Sequence, residues 1–162
     1  MRAVVLADTH LRDSAPARLP RRAWDELDSA DVILHAGDIT GPAFLARLRT
    51  LAPVYAVLGN NDGGLTGTLP DAIEVDLGGV AVAVVHDSGP RLGREARLRR
   101  RFPAAEVVVF GHSHIPWNQP GVDGQLLFNP GSPTQRRRQP HHTIGVLELD
   151  NGIARAEIVI VD

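Results

Sequence analysis

Residues 3–10 read Ala3-Val4-Val5-Leu6-Ala7-Asp8-Thr9-His10: five apolar residues in a row, then a carboxylate and an imidazole two positions apart. A short uninterrupted apolar run reads as a strand covered on both faces. The polar residues after it read as a loop carrying chemistry at the strand's carboxyl end. The pattern recurs outward along the chain. Asp31 to His35 is a second buried strand, ending in Ala36-Gly37-Asp38. Val54 to Leu58 is a third, ending in Gly59-Asn60-Asn61-Asp62-Gly63-Gly64. After a polar loop from Asp8 to Ala17, Pro20 sits in the first turn of a helix with Leu19, Ala23, Trp24 and Leu27 on one face. Pro42 opens a second helix, striped by Phe44, Leu45, Leu48 and Leu51. Strand, helix, strand, helix, strand predicts a parallel sheet with right-handed crossovers.

The second half is built differently. Ile73 to Leu77 and Val80 to Val85 flank Gly78-Gly79, a two-residue hairpin signal. A helix is predicted over about Arg91 to Arg101, then a buried strand Val107 to Phe110 that ends in Gly111-His112-Ser113-His114. Gln125 to Phe128, Thr143 to Leu149 and Ile153 to Val161 read as strands, the last two joined by a turn at Asp150-Asn151-Gly152. The expectation is an α/β fold with two sheets packed together and helices outside. No linker, internal repeat or low-complexity tract divides the chain, so residues 1–162 read as one domain.

Composition narrows the chemistry. With 162 residues, 43% hydrophobic and 22% charged, the chain can bury a substantial core. It contains no cysteine, which removes disulfides, zinc–thiolate sites and a cysteine nucleophile. All 17 basic residues are arginine. The absence of lysine removes Walker-type phosphate loops and Schiff-base chemistry. A net charge of −2 offers no global attraction to nucleic acid or anionic membrane. The run Ala3 to Ala7 is too short for a signal-peptide core, and Val80 to Val85 is too short to span a bilayer, so a cytoplasmic location is expected.

Strand after strand ends in a polar loop bearing Asp, Asn or His. In α/β sheets the carboxyl ends of parallel strands share one edge, where ligands bind. Each loop alone is ordinary turn chemistry, since Gly, Asn and Asp favour turns. Five such loops together are not, and His112-x-His114 sets two imidazoles on one side of an extended backbone. Asp8, His10, Asp38, Asn60, His86, His112 and His114 supply seven ligand-type groups, too many for one tetrahedral site. They suit two adjacent ions of mixed nitrogen and oxygen coordination that share a carboxylate. No Gly-x-Ser-x-Gly elbow is present, so covalent catalysis has no candidate nucleophile.

At these residues the sequence resembles the calcineurin-like metallophosphoesterases, in particular their small single-domain phosphodiesterase branch, which also includes a metal-poor scaffold subunit of retromer. The matching pieces are Asp8-x-His10, Gly37-Asp38, Gly59-Asn60-x-Asp62, His86, Gly111-His112-Ser113-His114 and Asn129-Pro130-Gly131-Ser132, in the family's order. The resemblance implies a four-layer αββα sandwich of two mixed β-sheets flanked by helices. It implies that Asp8, His10, Asp38 and His114 hold one metal and Asp38, Asn60, His86 and His112 the other, with Asp38 as the bridge. It implies two divalent transition-metal ions, Mn²⁺ first, with Fe, Ni²⁺ or Zn²⁺ as alternatives, and hydrolysis of phosphodiesters by attack of a metal-bound hydroxide. Catalytic duty would fall at Asn61 and Asp62, and Asn61 and Arg136 would contact substrate.

Two departures from the family pattern stand out. Relatives place a His that assists the leaving group after the metal-binding Asn; here the residue is Asn61, which cannot act as a general acid but can hydrogen-bond a phosphate oxygen. After His86 comes Asp87 in place of a Gly. Asp62 reads as a residue that orients its loop or a neighbouring His, His35 as a histidine that supports the ligands or is structural, and His141 and His142 as exposed loop residues. The Asn129-Pro130-Gly131-Ser132 turn is placed beside the site by the resemblance. Two arginine clusters, one at Arg97 and Arg99 to Arg101 and one at Arg136 to Arg138, read first as solvated surfaces and second as guides for a phosphorylated substrate. The expected partner is a small phosphoester, with no membrane, with nucleic acid only as a substrate end, and with homo-oligomer formation left open. Aromatic content of 4% gives no stacking platform for single strands. A binding scaffold with weak or no catalysis is the alternative function, kept alive by Asn61, and a phosphomonoesterase is a third.

Overall fold

The computed structural model describes residues 1–13 and 19–162. Its strands are β1 (Arg2–Leu6), β2 (Val32–His35), β3 (Val54–Ala56), β4 (Ala72–Leu77), β5 (Val80–Val85), β6 (Val107–Val109), β7 (Trp117–Pro120), β8 (Leu126–Asn129), β9 (Thr143–Asp150) and β10 (Ile153–Ile160). The helices are α1 (Arg21–Asp28), α2 (Pro42–Arg49) and α3 (Arg94–Arg101). They make two mixed five-stranded sheets, ordered β10-β9-β1-β2-β3 and β4-β5-β6-β8-β7. In the first, β1, β2 and β3 run parallel and β9 is antiparallel to β1. In the second, β5, β6 and β8 run parallel, with β4 and β7 antiparallel at the edges.

Three separate cores define four layers. Val4, Leu6, Ile33, Ile144 and Val146 of the first sheet pack under Ala23, Leu27, Phe44, Leu45 and Leu48 of α1 and α2. The opposite face of that sheet, including Ala3, Val5, Val32 and Leu34, meets Val80, Val82, Val84, Val107, Val109 and Phe128 of the second. The outer face of the second sheet, with Ala83, Val85, Val108 and Leu127, is covered by Leu98 and Phe102 of α3 and its end. This is the expected αββα sandwich. The strand sequences are continuously apolar because both faces of each central strand are covered.

Several details differ from the expectation. The apolar stripe of α2 stops at Leu48; Leu51 lies past the helix end and is 38% exposed. The third strand ends at Ala56, because the Leu58 N–H turns away to the Pro70 carbonyl at 2.8 Å. Helix α3 begins at Arg94, after Gly93 in a left-handed conformation (φ 70°), and not at Arg91. Strand β7 went unpredicted. Of the expected loop from Asp8 to Ala17, residues 14–17 lie outside the described residues. Among the described residues no helix is long and apolar enough to cross a membrane.

Candidate metal centre

The loops after β1, β2 and β6 keep pairing beyond their strands. The Asp8 N–H donates to the Gly37 carbonyl at 3.0 Å, His10 N–H to Asp38 at 2.9 Å and Leu11 N–H to Ile39 at 3.0 Å. Gly111 N–H likewise reaches the His86 carbonyl at 2.9 Å. The loops therefore arrive side by side at one edge of the sandwich. Each then takes an unusual backbone turn: Asp8, His10, Asp38, Thr40, His112 and His114 all have positive φ, between 46° and 68°. That is the left-handed region, which non-glycine residues enter at a cost, and it recurs at alternate positions of three loops. Gly59 allows the close approach of the β3 loop; a Cβ there would lie 2.2 Å from Asp38 N and Oδ1.

All seven expected donors meet. Asp38 Oδ2 lies 3.6 Å from His10 Nε2 and 3.6 Å from His86 Nε2. His114 Nε2 stands 3.5 Å from Asp8 Oδ1 and 3.3 Å from His10 Nε2. On the other side, His86 Nε2 and His112 Nδ1 are each 3.0 Å from Asn60 Oδ1 and 3.3 Å from one another. Two compact sets, Asp8–His10–His114 and Asp8–Asp38–His86, bring ligand atoms close enough to share an ion.

Hydrogen bonds on the far side of the rings fix which nitrogens are bare. His86 Nδ1 faces the Ala36 carbonyl at 2.7 Å and His114 Nδ1 the Gln135 carbonyl at 2.6 Å. A carbonyl can only accept, so each Nδ1 carries a proton, and when the ring binds a cation it is Nε2 that presents its lone pair to the centre. His86 Nε2 and Asn60 Oδ1 are then two acceptors facing each other at 3.0 Å, an arrangement that a cation between them satisfies. Asp8 Oδ2 is buried with no hydrogen-bond partner.

The electrostatics agree. Burial, and then the Asp38 carboxylate beside it, push the Asp8 carboxyl up to about 8. Burial alone would raise Asp38 too, but the backbone and side-chain N–H groups of Asn61, with His86 and His10, hold it below the ordinary value. Burial lowers His10, and lowers His114 to about 4, so both rings are neutral and fit to ligate. Buried carboxylates and neutral imidazoles that lack a counter-charge fit divalent transition metals.

Other expected residues take more specific places. Asn61 is turned onto Asp38: its N–H donates to Oδ1 at 2.8 Å and its side-chain amide to Oδ2 at 2.7 Å. Asp62 is buried, and its carboxylate accepts the N–H groups of Asp38 (2.9 Å), Gly59 (2.8 Å) and Thr40 (2.7 Å), which ties the second and third loops together. His35 is fully buried, 3.0 Å from Thr9 Oγ1. The Asn129 turn fastens two further loops. Asn129 Nδ2 donates to the Gly111 carbonyl at 2.9 Å, and Ser132 Oγ to the Asp8 carbonyl at 2.8 Å. The Arg136 guanidinium, expected to contact substrate, donates to the Gln139 carbonyl at 2.6 Å. The arginine whose charge bears on Asp8, His10 and His114 is Arg137. The sequence marked the Arg136 to Arg138 cluster as a whole and did not single out Arg137, whose backbone takes a left-handed φ of 52°.

Comparison with known proteins agrees with the geometry. Residues 1–152 match the model of the calcineurin-like phosphoesterase superfamily domain. A probable metallophosphoesterase of Methanothermobacter thermautotrophicus is 34% identical over 157 residues, covering 96% of this chain and 90% of that protein. Among solved structures, a novel archaeal phosphodiesterase superposes with a TM-score of 0.75 at 22% identity, covering 98% of this chain and 100% of the other. Wild-type Vps29 of Entamoeba histolytica in complex with Zn²⁺ gives a TM-score of 0.75 at 23% identity, with both chains fully covered. The match over 152 residues, with a metal-ready cluster at the shared sheet edge, makes this chain a member of the calcineurin-like phosphoesterase superfamily.

Proposed function

We propose that the chain is a divalent-metal-dependent phosphodiesterase acting as a single domain. The observation that carries this reading is the convergence of four imidazoles, two carboxylates and one amide oxygen, with the lone pairs of His86 and His114 aimed inward. A pair of divalent ions, Mn²⁺ foremost, would supply an acidified water and neutralise charge on the phosphoryl oxygens. Asp8, His10 and His114 would hold one ion, Asn60, His86 and His112 the other, and Asp38, 3.6 Å from both His10 and His86, would be shared. Asn61 keeps Asp38 ionised and pointed, and Asp62 clamps the loop that carries it. Cavities open on both flanks of the donors, about 420 Å³ beside His86 and His112 and about 530 Å³ beside His10 and Asn61. A diester, with a substituent on each side of phosphorus, uses both. Likeness to the archaeal phosphodiesterase supports the same substrate class.

The test is hydrolysis of bis(p-nitrophenyl) phosphate by the Mn²⁺-loaded protein. We expect turnover above buffer and a loss of about 10²–10³-fold in Asp38→Ala, the size seen when a group that stabilises transition-state charge is removed. Equal rates in the two proteins, or no turnover with Mn²⁺, Zn²⁺, Ni²⁺ or Fe²⁺, would overturn the reading. The second reading is a protein-binding scaffold, favoured by the Vps29 likeness and by Asn61 where a proton donor would stand. Tight metal binding without hydrolysis would select it.

A further inference from the structure

The two cavities that flank the donors differ in charge. The one beside His86 is lined by Leu58, Val85 and Thr66, with Asp71 and Asp87 on its wall and a single arginine, Arg101. The one beside His10 is lined by Arg12, Asp13, Thr40, Asn61 and Gln135. The carboxylate there is engaged: Asp13 Oδ1 accepts the Ala43 N–H at 3.0 Å. Among the described residues the arginine side chains in hydrogen bonds or ion pairs are those of Arg2, Arg97, Arg99 and Arg136. Among the described residues neither Arg12, which lines the cavity, nor Arg137, two residues after the lining Gln135, has such a partner.

Arg137 is also held in place. It lies two residues after Gln135, whose carbonyl faces His114 Nδ1 at 2.6 Å and whose N–H donates to Ser132 Oγ at 2.9 Å. Its own backbone sits in the left-handed region at φ 52°. A strained backbone that carries an arginine without a protein partner, two residues from the cavity lining, points to a ligand for that guanidinium. A lone diester carries one negative charge, which the centre itself would match. Two further guanidiniums on one flank call for a second anion, and their planar forks suit phosphate oxygens.

Building on the phosphodiesterase reading, we infer that the cavity beside His10 is a subsite for a second phosphate of the substrate. Arg12 and Arg137 hold it, and the less basic cavity beside His86 takes the other ester group. Two sources share this chemistry. In a polyphosphate the second phosphorus is joined to the scissile one through one oxygen; at a nucleic-acid end it lies one nucleoside away.

Inhibition of bis(p-nitrophenyl) phosphate hydrolysis separates them. The probes are orthophosphate against methylenediphosphonate, and dithymidylate without against with a 5′-phosphate, each also titrated calorimetrically. Wild type should prefer the probe with the added phosphate in one pair by about tenfold or more, and the pair that shows it identifies the source. Arg12→Ser and Arg137→Ser should each reduce that ratio about tenfold, the worth of a charge-assisted hydrogen bond. Arg49→Ser, a remote loss of one positive charge on α2, should leave the ratio unchanged. Ratios that stay the same in both subsite variants overturn the inference. A wild-type protein with no hydrolysis overturns the phosphodiesterase reading alone, and the calorimetric ratios then decide the subsite.

Discussion

Asn61 replaces a proton donor with an amide that is already spent on Asp38, at 2.7 Å from Oδ2. Burial leaves the His10 and His114 rings deprotonated, so neither replaces the missing donor. Turnover should therefore fall steeply as the leaving group becomes more basic. Asn61→His should raise the rate for alkyl esters by about 10²-fold and change aryl esters far less, because general acid help is worth 10²–10⁴-fold where the leaving group needs it. A leaving-group plot equally steep in both proteins would contradict this. His35 offers a second test at the same scale. It is fully buried, and burial, then the neighbouring His86, lower it from 6.5 to about 3. Its folded value lies below its unfolded one, so its contribution is fully present above pH 6.5 and is lost as pH falls toward 3. Urea unfolding of the metal-free protein should lose stability faster on acidification than His35→Asn does, by about 1.4 kcal/mol per pH unit between pH 6 and 4. Parallel curves would refute the role assigned to its burial. The donors were legible in the sequence because each follows an apolar strand directly, and a parallel sheet brings strand ends together. The arginines were not: Arg136 and Arg137 are indistinguishable by type, and only the fold shows that Arg136 is spent on the Gln139 carbonyl while the charge of Arg137 bears on Asp8, His10 and His114.

At the level of elements, the Asn129-Pro130-Gly131-Ser132 turn acts as a fastener between loops of different sheets. Asn129 is fully buried, donates to Gly111 in the β6 loop and accepts the Gly131 N–H at 2.8 Å, while Ser132 holds the Asp8 carbonyl in the β1 loop. Asn129→Ala leaves the buried Gly131 N–H unpaired and removes one of the two donors to the Gly111 carbonyl, the Ser113 N–H at 2.8 Å being the other, at about 1–3 kcal/mol in urea unfolding. It should also weaken metal binding about 10–100-fold, as loss of groups that orient ligands does. Unchanged metal affinity in a folded Asn129→Ala protein would show that the loops hold their geometry without the turn. The motif was visible in the sequence; its two-sided bonding was not, since its partners Gly111 and Asp8 lie 18 and 124 residues away from Asn129 and Ser132 respectively. The hairpin at Gly78-Gly79 was legible because that dipeptide supplies the two positive φ values, 61° and 79°, of a tight turn. Strand β7 was not, because Trp117-Asn118-Gln119-Pro120 has little apolar periodicity and ends in proline, which an edge strand tolerates.

The whole molecule is a clamp of two sheets that meet tightly over their length and open at one edge. Gly145 on β9 marks the tight part, where a Cβ would fall 2.3 Å from Phe128 Cε1 on β8. Gly145→Ala should cost about 1–3 kcal/mol, as overpacking does; a neutral effect would mean that the sheet spacing yields more than this packing allows. At the open edge the first sheet supplies Asp8, His10, Asp38 and Asn60 from its strand ends, and the second supplies His86, His112 and His114. Cations there would tie one sheet to the other. The most direct test is anomalous scattering from crystals of the Mn²⁺-loaded protein. The account predicts two peaks roughly 3.5–4 Å apart, one among Asp8, His10 and His114, the other among Asn60, His86 and His112, with the Asp38 carboxylate between them. Loops in the same conformation with no peak, or with manganese bound only elsewhere, would contradict it.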